Sequence, residues 1–190
     1  SLAVAVVLVA EDIKLTGETR STPTLELQGS QPKLLEEIRK TGKPVILVVL
    51  SGKPQVLPRD WQSHGTLVQA FNPGMEGGRA FAGMLFGDFN PSGKLTIGIP
   101  VHVGQQPICY AQVRGQHGYD YADLPRDPLF SFGEGRAYTS YSYENLKLNA
   151  AELKLGDVLE ASVEVTNTGD RAGEEIVQGY VSDLVTSATW

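Results

Sequence analysis

Residues 67–100 read LVQAFNPGMEGGRAFAGMLFGDFNPSGKLTIGIP, and this stretch decides the fold. Leu67 to Phe71 is a short apolar run that stops at Asn72-Pro73-Gly74, a turn signal. Gly77 and Gly78 admit a close backbone approach just ahead of a helix. Phe81, Met84 and Leu85 fall at i, i+3 and i+4 and so share one helix face. Gly87 is placed as a helix C-cap. Asn90-Pro91-Ser92-Gly93 is a second turn, and the alternation of Leu95, Ile97 and Ile99 predicts a strand. Strand, turn, helix, turn and strand together make one α/β unit.

Upstream of this unit the pattern is similar. Ala3 to Ala10 is the apolar run AVAVVLVA, which reads as a central strand of a parallel sheet, buried on both faces. Residues 11–29 form a long polar loop. Ser30 is the expected cap of a helix over Pro32 to Lys40, with Leu34, Leu35 and Ile38 inward and Gly42 closing it. Pro44 to Leu50 is a second buried strand, and residues 51–65 are a loop holding Trp61. The order β, α, β, β, α, β predicts an α/β sandwich with a mostly parallel sheet over residues 1–127. Its last part, 101–127, has no clear period and reads as a long ordered loop. Residues 128–142 form an aromatic linker. Phe130, Phe132, Tyr138 and Tyr141, with Tyr143 just beyond, are too many for a flexible tether and are expected to pack between domains. Over 143–190 the pattern turns to strands. Leu159, Ala161, Val163 and Val165 alternate with polar residues, Asn167 to Asp170 is a turn, and Ile176 to Val181 is another strand. This is the expected start of an antiparallel β-sandwich.

Composition narrows the partners. The chain has 190 residues, room for one domain or two small ones, and a formal net charge of −6, which argues against nucleic acid or an anionic membrane. Cys109 is the sole cysteine, so an intrachain disulfide and a cysteine-based zinc site are both excluded. His64, His102 and His117 lack metal-ligand spacing. No apolar run reaches the length of about 18 residues that a transmembrane helix needs. The chain opens directly on an apolar strand and stops at Trp190 in mid-pattern. A fragment, or one polypeptide of a cleaved or split enzyme, is therefore expected.

Three motifs, NPGMEGG at 72–78, LFGDFNPSGKL at 85–95 and PLFSFGEGRAYTSYSYENL at 128–146, together resemble the C-terminal half of glycoside hydrolase family 3, the β-glucosidase and β-xylosidase type. The chain departs from it at Phe71-Asn72, where many members have two aromatics, and at Glu134 and Arg136, where many have an aromatic and a leucine. The resemblance implies an N-terminal (β/α)8 barrel, a first strand of the α/β domain and the last strands of a fibronectin type III-like domain, all outside this chain. It further implies a retaining exo-β-glycosidase acting on terminal non-reducing β-D-glucosyl residues. Its partners would be a β-linked oligosaccharide or aryl glucoside and the missing barrel. No metal or organic cofactor is implied. A homo-oligomer is left open, and so is the compartment, with the periplasm or secretion favoured.

Glycoside hydrolysis needs two carboxyl groups flanking the scissile bond. The family keeps its nucleophile, an aspartate, on the barrel, and its acid/base glutamate on a loop of the α/β domain. The matching segment is KLTGETRSTPTLELQGSQ at 14–31, and the match lands on Glu18. Thr22 stands where many relatives have a second arginine, and Gln28 where a proline is common. Arg20 is the candidate substrate-binding residue, able to hold a carboxylate or sugar hydroxyl beside Glu18. A glutamate in a polar loop is ordinarily a solvated charge, so the resemblance carries this assignment. Glu11 competes, because it sits at the carboxyl end of a strand, where α/β sheets place ligands. Asp12 is weaker. Trp61 and Tyr119 could stack on a sugar, although core or interface packing is the better reading of each. MEGGRA lacks phosphate-loop spacing and reads as a packing turn. His117 receives no role, and Cys109 reads as a small buried hydrophobe. Two other classes stay open: a non-catalytic carbohydrate-binding or structural module, and a nucleotide-binding α/β protein, disfavoured by the absent phosphate motif.

Overall fold

A computed structural model describes residues 4–63, 65–111 and 119–182. Contacts divide them into two compact units. The first holds the described residues up to Gly77, with Leu95–Glu134 and Tyr180; the second holds Gly78–Lys94 and Gly135–Gly179.

The first unit is built on a three-stranded parallel sheet, β1 (Ala5–Ala10), β2 (Val45–Leu50) and β3 (Gly65–Gln69), in the order β1-β2-β3. Ala5 pairs with Val45 and Val45 with Gly65, so the strands start level and their carboxyl ends open on one edge. Helix α1 (Gln31–Lys40) connects β1 to β2. Its Leu35 is buried among Val7, Val9, Val45, Leu47, Val49, Leu57, Trp61 and Leu129. This is the core of the unit, and Trp61 is its largest fully buried side chain.

Several expectations need correction. Among the described strands β2 is central and β1 lies at the edge. Val4, Val6 and Leu8 are exposed while Val7 and Val9 are buried. The apolar run was therefore a true strand signal but marked only one covered face. Leu34 is exposed, because two adjacent helical residues diverge by about 100° and Leu35 takes the inward direction. Ser30 occupies the cap position, but its side chain makes no cap hydrogen bond. The Gln31 amide instead pins this end of the helix to the strand: it accepts from Ala10 N at 2.8 Å and donates to Ala10 O at 2.9 Å. Gly42, at φ 65°, ends the helix as expected.

Gly65 is required by proximity. A Cβ there would lie 2.3 Å from the carbonyl oxygen of Val45, the neighbouring strand's backbone. We expect Gly65→Ala to displace the start of β3 and to cost about 1–3 kcal/mol, the usual range for overpacking. Chemical denaturation checks this. An unchanged midpoint would show that the strand start yields freely. Gly78 has no such constraint, since a Cβ there meets nothing within 4 Å.

The expected strand at Leu95–Ile99 does not form. Leu95 N donates to Glu134 O at 2.8 Å and Gly133 N to Leu95 O at 2.7 Å. Ile99 N donates to Phe130 O at 2.8 Å, forming an isolated antiparallel bridge. The segment is thus tied at two points and bends between them. Phe132 stacks on Tyr110 with centroids 4.3 Å apart. Cys109 is exposed, correcting its reading as a buried hydrophobe.

The second unit contains most of helix α2 (Gly77–Phe86) and an antiparallel pair, β4 (Tyr141–Leu148) and β5 (Ala161–Asn167). Phe81, Met84 and Leu85 are all half-buried, as one shared face requires, and Gly87 ends the helix at φ 80°. Asn90 of the NPSG turn joins three segments: its Oδ1 accepts from Tyr138 N at 2.6 Å, and its Nδ2 donates to Ala172 O at 3.0 Å. The Tyr143 hydroxyl donates to Glu175 at 2.7 Å, and this bond to a carboxylate raises the phenol above its ordinary value. Ile176 to Val181 forms no strand among the described residues. Its side chains Ile176, Val177, Tyr180 and Val181 are exposed.

Candidate active site

Parallel strands send their following loops to a common edge, and in open α/β sheets that edge is where ligands bind. Here it gathers the loop after β1 (11–29), the segment after β2 (from Ser51) and the loop after β3. Two non-glycine residues on these loops have left-handed backbone, Thr19 at φ 65° and Phe71 at φ 51°. For a β-branched residue such a conformation is strained, and strain of this kind concentrates at functional sites.

Glu18 lies at the tip of the first loop. Arg20 N donates to Gly17 O at 3.2 Å, which closes a turn with Glu18 and Thr19 at its centre. Gly17 adopts φ 112°, open only to glycine in practice. The turn therefore presents Glu18 outward on a sharply folded backbone. Glu18 and Arg20 are both exposed. Among the described residues neither side chain has a hydrogen-bond or ion-pair partner, and the two do not bridge each other. A carboxyl and a guanidinium free on one turn are available to an incoming group.

Glu11 is the opposite case. Its side chain is 9% exposed, and its two oxygens are occupied: Lys53 Nζ lies 2.9 Å from Oε1, and Ser51 Oγ donates to Oε2 at 3.2 Å. The Gln55 amide lies 3.0 Å from Ser51 Oγ, extending the network inward. Glu11 is thus a holding residue at the root of the loop. Asp12 is likewise engaged, accepting from Lys14 N at 2.9 Å.

The far side of the loop is tied down too. Lys53 Nζ also donates to Thr22 Oγ1 at 2.7 Å. Val56 N donates to Leu25 O at 2.8 Å, beside a parallel bridge between Glu26 and Val56. The free arc runs between Glu11 and Thr22, with Glu18 on it. Lys53, Thr22 and Thr19 were not singled out by sequence as parts of a site. A cation two residues beyond Ser51, which ends the apolar run, was the available signal for Lys53.

The other candidates separate clearly. Trp61 is fully buried and belongs to the core. Tyr119 is 91% exposed. His64 and His117 lie outside the described residues. His102 Nδ1 accepts from Gly104 N at 3.0 Å, a local cap. Among the described residues no cluster of His, Cys, Asp and Glu could hold a metal, and no helix is long and apolar enough to cross a membrane.

Comparison with known proteins gives a consistent result. A periplasmic β-glucosidase of Salmonella typhimurium is 35% identical over 97% of this chain and 25% of its own length. A β-xylosidase of Formosa agariphila is 39% identical over 94% of the chain and 25% of its own length. Among solved structures, a β-glucosidase involved in saponin metabolism from intestinal bacteria superposes with a TM-score of 0.88 at 42% identity, covering 98% of this chain and 28% of that one. The Listeria innocua β-glucosidase in complex with glucose superposes at 0.89 with 31% identity, covering 98% of this chain and 27% of that one. The chain thus spans about a quarter of the length of the curated relatives it matches. Residues 1–138 match the glycosyl hydrolase family 3 C-terminal domain, and the chain belongs to that family.

Proposed function

We propose that this chain works within a longer polypeptide as part of a retaining exo-β-glycosidase of the β-glucosidase type, removing terminal β-D-glucosyl residues. The observation that carries this reading is Glu18, exposed on a strained turn at the carboxyl edge of the parallel sheet, in a chain of family 3. Glu18 is the general acid/base. Protonated, it delivers its proton to the glycosidic oxygen as a barrel aspartate attacks the anomeric carbon. Ionised, it then takes a proton from the water that releases the sugar. A retaining mechanism places the two carboxyl groups about 5–5.5 Å apart, so the barrel must approach this edge of the sheet. Arg20 holds a sugar hydroxyl or substrate oxygen beside Glu18.

In this reading residues 1–127 are the α/β sandwich domain, 128–142 the linker, and 143–190 the start of a fibronectin type III-like domain. A β-linked oligosaccharide or aryl glucoside is the substrate. The periplasm is a fitting compartment, in line with the name of the Salmonella relative.

Residues 1–190 by themselves should leave an activated aryl β-glucoside intact, because half of the carboxyl pair is elsewhere. The polypeptide that joins them to a nucleophile-bearing barrel should hydrolyse it with retention. Proton NMR of the first-formed sugar tests the second point. Turnover by purified residues 1–190, or an α anomer released first, would overturn the proposal.

A further inference from the structure

We infer that Lys53 is a positioning residue for the Glu18 turn, the cation that closes the neck of the acid/base loop. This rests on the reading of Glu18 given above. The polar loop leaves the sheet at Glu11 and returns past Thr22, and both residues meet the same ammonium group. Lys53 Nζ lies 2.9 Å from Glu11 Oε1 and 2.7 Å from Thr22 Oγ1. The side chains of Lys53 and Glu11 are 25% and 9% exposed, so the pair is shielded from most solvent. The cation has a fixed base, since Lys53 N donates to Ser51 Oγ at 3.2 Å and Ser51 follows directly on β2. Ser51 in turn donates to Glu11 Oε2 at 3.2 Å. Two strand ends and one loop return are thus held at a single point.

The consequence is geometric. A flexible arc whose ends are free samples many shapes, and pinning its ends removes most of them. Glu18 sits on the arc so closed, four residues before Thr22. Lys53 does not touch the proposed reacting atoms. It acts by limiting where the Glu18 carboxyl can be, and misplacement of a catalytic group by about 1 Å can cost about 100-fold in rate. Its partners divide the work: Glu11 anchors the ammonium, and Thr22 is the part of the loop that the ammonium holds.

The test uses the full-length enzyme and a series of aryl β-glucosides whose leaving groups range from poor to good. A displaced acid hurts poor leaving groups and spares good ones, whereas a loss of folded protein hurts all alike. Lys53→Met should lower kcat/KM about 10- to 100-fold for the poorest leaving group and leave the dinitrophenyl glucoside within about threefold. Lys53→Arg should restore most of the loss. Thr22→Val keeps the ion pair and removes the contact with the ammonium, together with the hydroxyl's own bond to Thr24 O at 3.0 Å within the loop return, so it should show the same leaving-group dependence in weaker form even if Lys53→Met folds poorly. Glu18→Gln, run in parallel, reports on the underlying reading. If Glu18→Gln shows the leaving-group dependence and both Lys53→Met and Thr22→Val do not, the positioning role is wrong and the acid/base assignment stands. If Glu18→Gln lacks it, both fall.

Discussion

Replacing Glu18 with glutamine in the full-length enzyme should lower kcat/KM for a natural disaccharide by about 10²–10⁴-fold, the usual contribution of general acid–base catalysis. Each tenfold loss is about 1.4 kcal/mol of transition-state stabilisation, so the change is expected to cost about 3–5 kcal/mol. The amide fits the space and stays exposed, so stability should hold. The effect must depend on the substrate. A disaccharide leaves as a poor alkoxide and needs the proton; a dinitrophenolate leaves without one. With the dinitrophenyl glucoside the first step should therefore persist and the second should become limiting, because water has lost its base. Azide is a nucleophile that needs no base, so adding it should raise kcat and yield the β-glucosyl azide. Glu11→Gln is the informative control. Its carboxylate is engaged by Lys53 and Ser51, so its loss should loosen the loop but should not create an azide response. Normal disaccharide activity in Glu18→Gln, or azide rescue of Glu11→Gln instead, would move the acid/base to another residue.

The difference between these two glutamates could not be read from composition or periodicity. Both are acids near the end of an apolar strand. The resemblance to family 3 selected Glu18 by its neighbours in KLTGETRST, while the rule about strand ends favoured Glu11. Folding separates them. Glu11 is close enough to the sheet to meet a cation from the next strand end, at 2.9 Å, where its side chain is only 9% exposed. Glu18 is carried beyond reach of those groups by the arc between. The partner of Glu11 lies 42 positions away, and only the parallel register that sets Ala10 beside Leu50 brings Lys53 near it.

The elements themselves were legible where one residue pattern implies one neighbour. AVAVVLVA and VILVVL gave β1 and β2, and the leucine-rich segment between them gave α1. Legibility ends where an alternating pattern is not matched by backbone pairing. Leu95, Ile97 and Ile99 alternate with other residues as on a strand and would then share one face, yet Ile99 is buried while Ile97 is exposed. Alternation orients side chains only where a strand forms. A strand also needs a continuous row of backbone partners; among the described residues the segment is bonded to 129–134 at Leu95 and Ile99, and no strand forms. The helix cap departs from expectation for a different reason. Ser30 has the right chemistry and position, but the neighbouring Gln31 already links the helix start to Ala10. A side chain one residue on thus did by tertiary contact what the cap was expected to do locally.

Trp61 is where the sequence left two roles, a sugar platform or a core residue, and the two make opposite predictions. It is fully buried in the core cluster that also holds Leu35, Leu47, Leu57 and Leu129, in a short helical turn that begins where Trp61 N donates to Pro58 O at 2.8 Å. Trp61→Ala would leave a cavity the size of the indole, and such changes cost about 3–5 kcal/mol. Natural domains are stable by only about 5–15 kcal/mol, so the variant should sit near the edge of folding. Trp61→Phe should be much milder than its loss of volume suggests. The indole Nε1 is buried and has no acceptor among the described residues, and an unmet buried donor costs about 1–3 kcal/mol. Phenylalanine removes that donor along with part of the ring, so the two effects offset, and a net loss of about 1–2 kcal/mol is expected. The measurements are urea midpoints and kinetics on the same preparations of the full-length enzyme. A core role predicts midpoints in the order wild type, Trp61→Phe, Trp61→Ala, with KM unchanged in whatever enzyme remains folded. A sugar platform predicts the reverse: an unshifted midpoint and a raised KM in Trp61→Ala. That second outcome would mean that the indole leaves the core when substrate binds, and the packing described for the first unit would have to be abandoned.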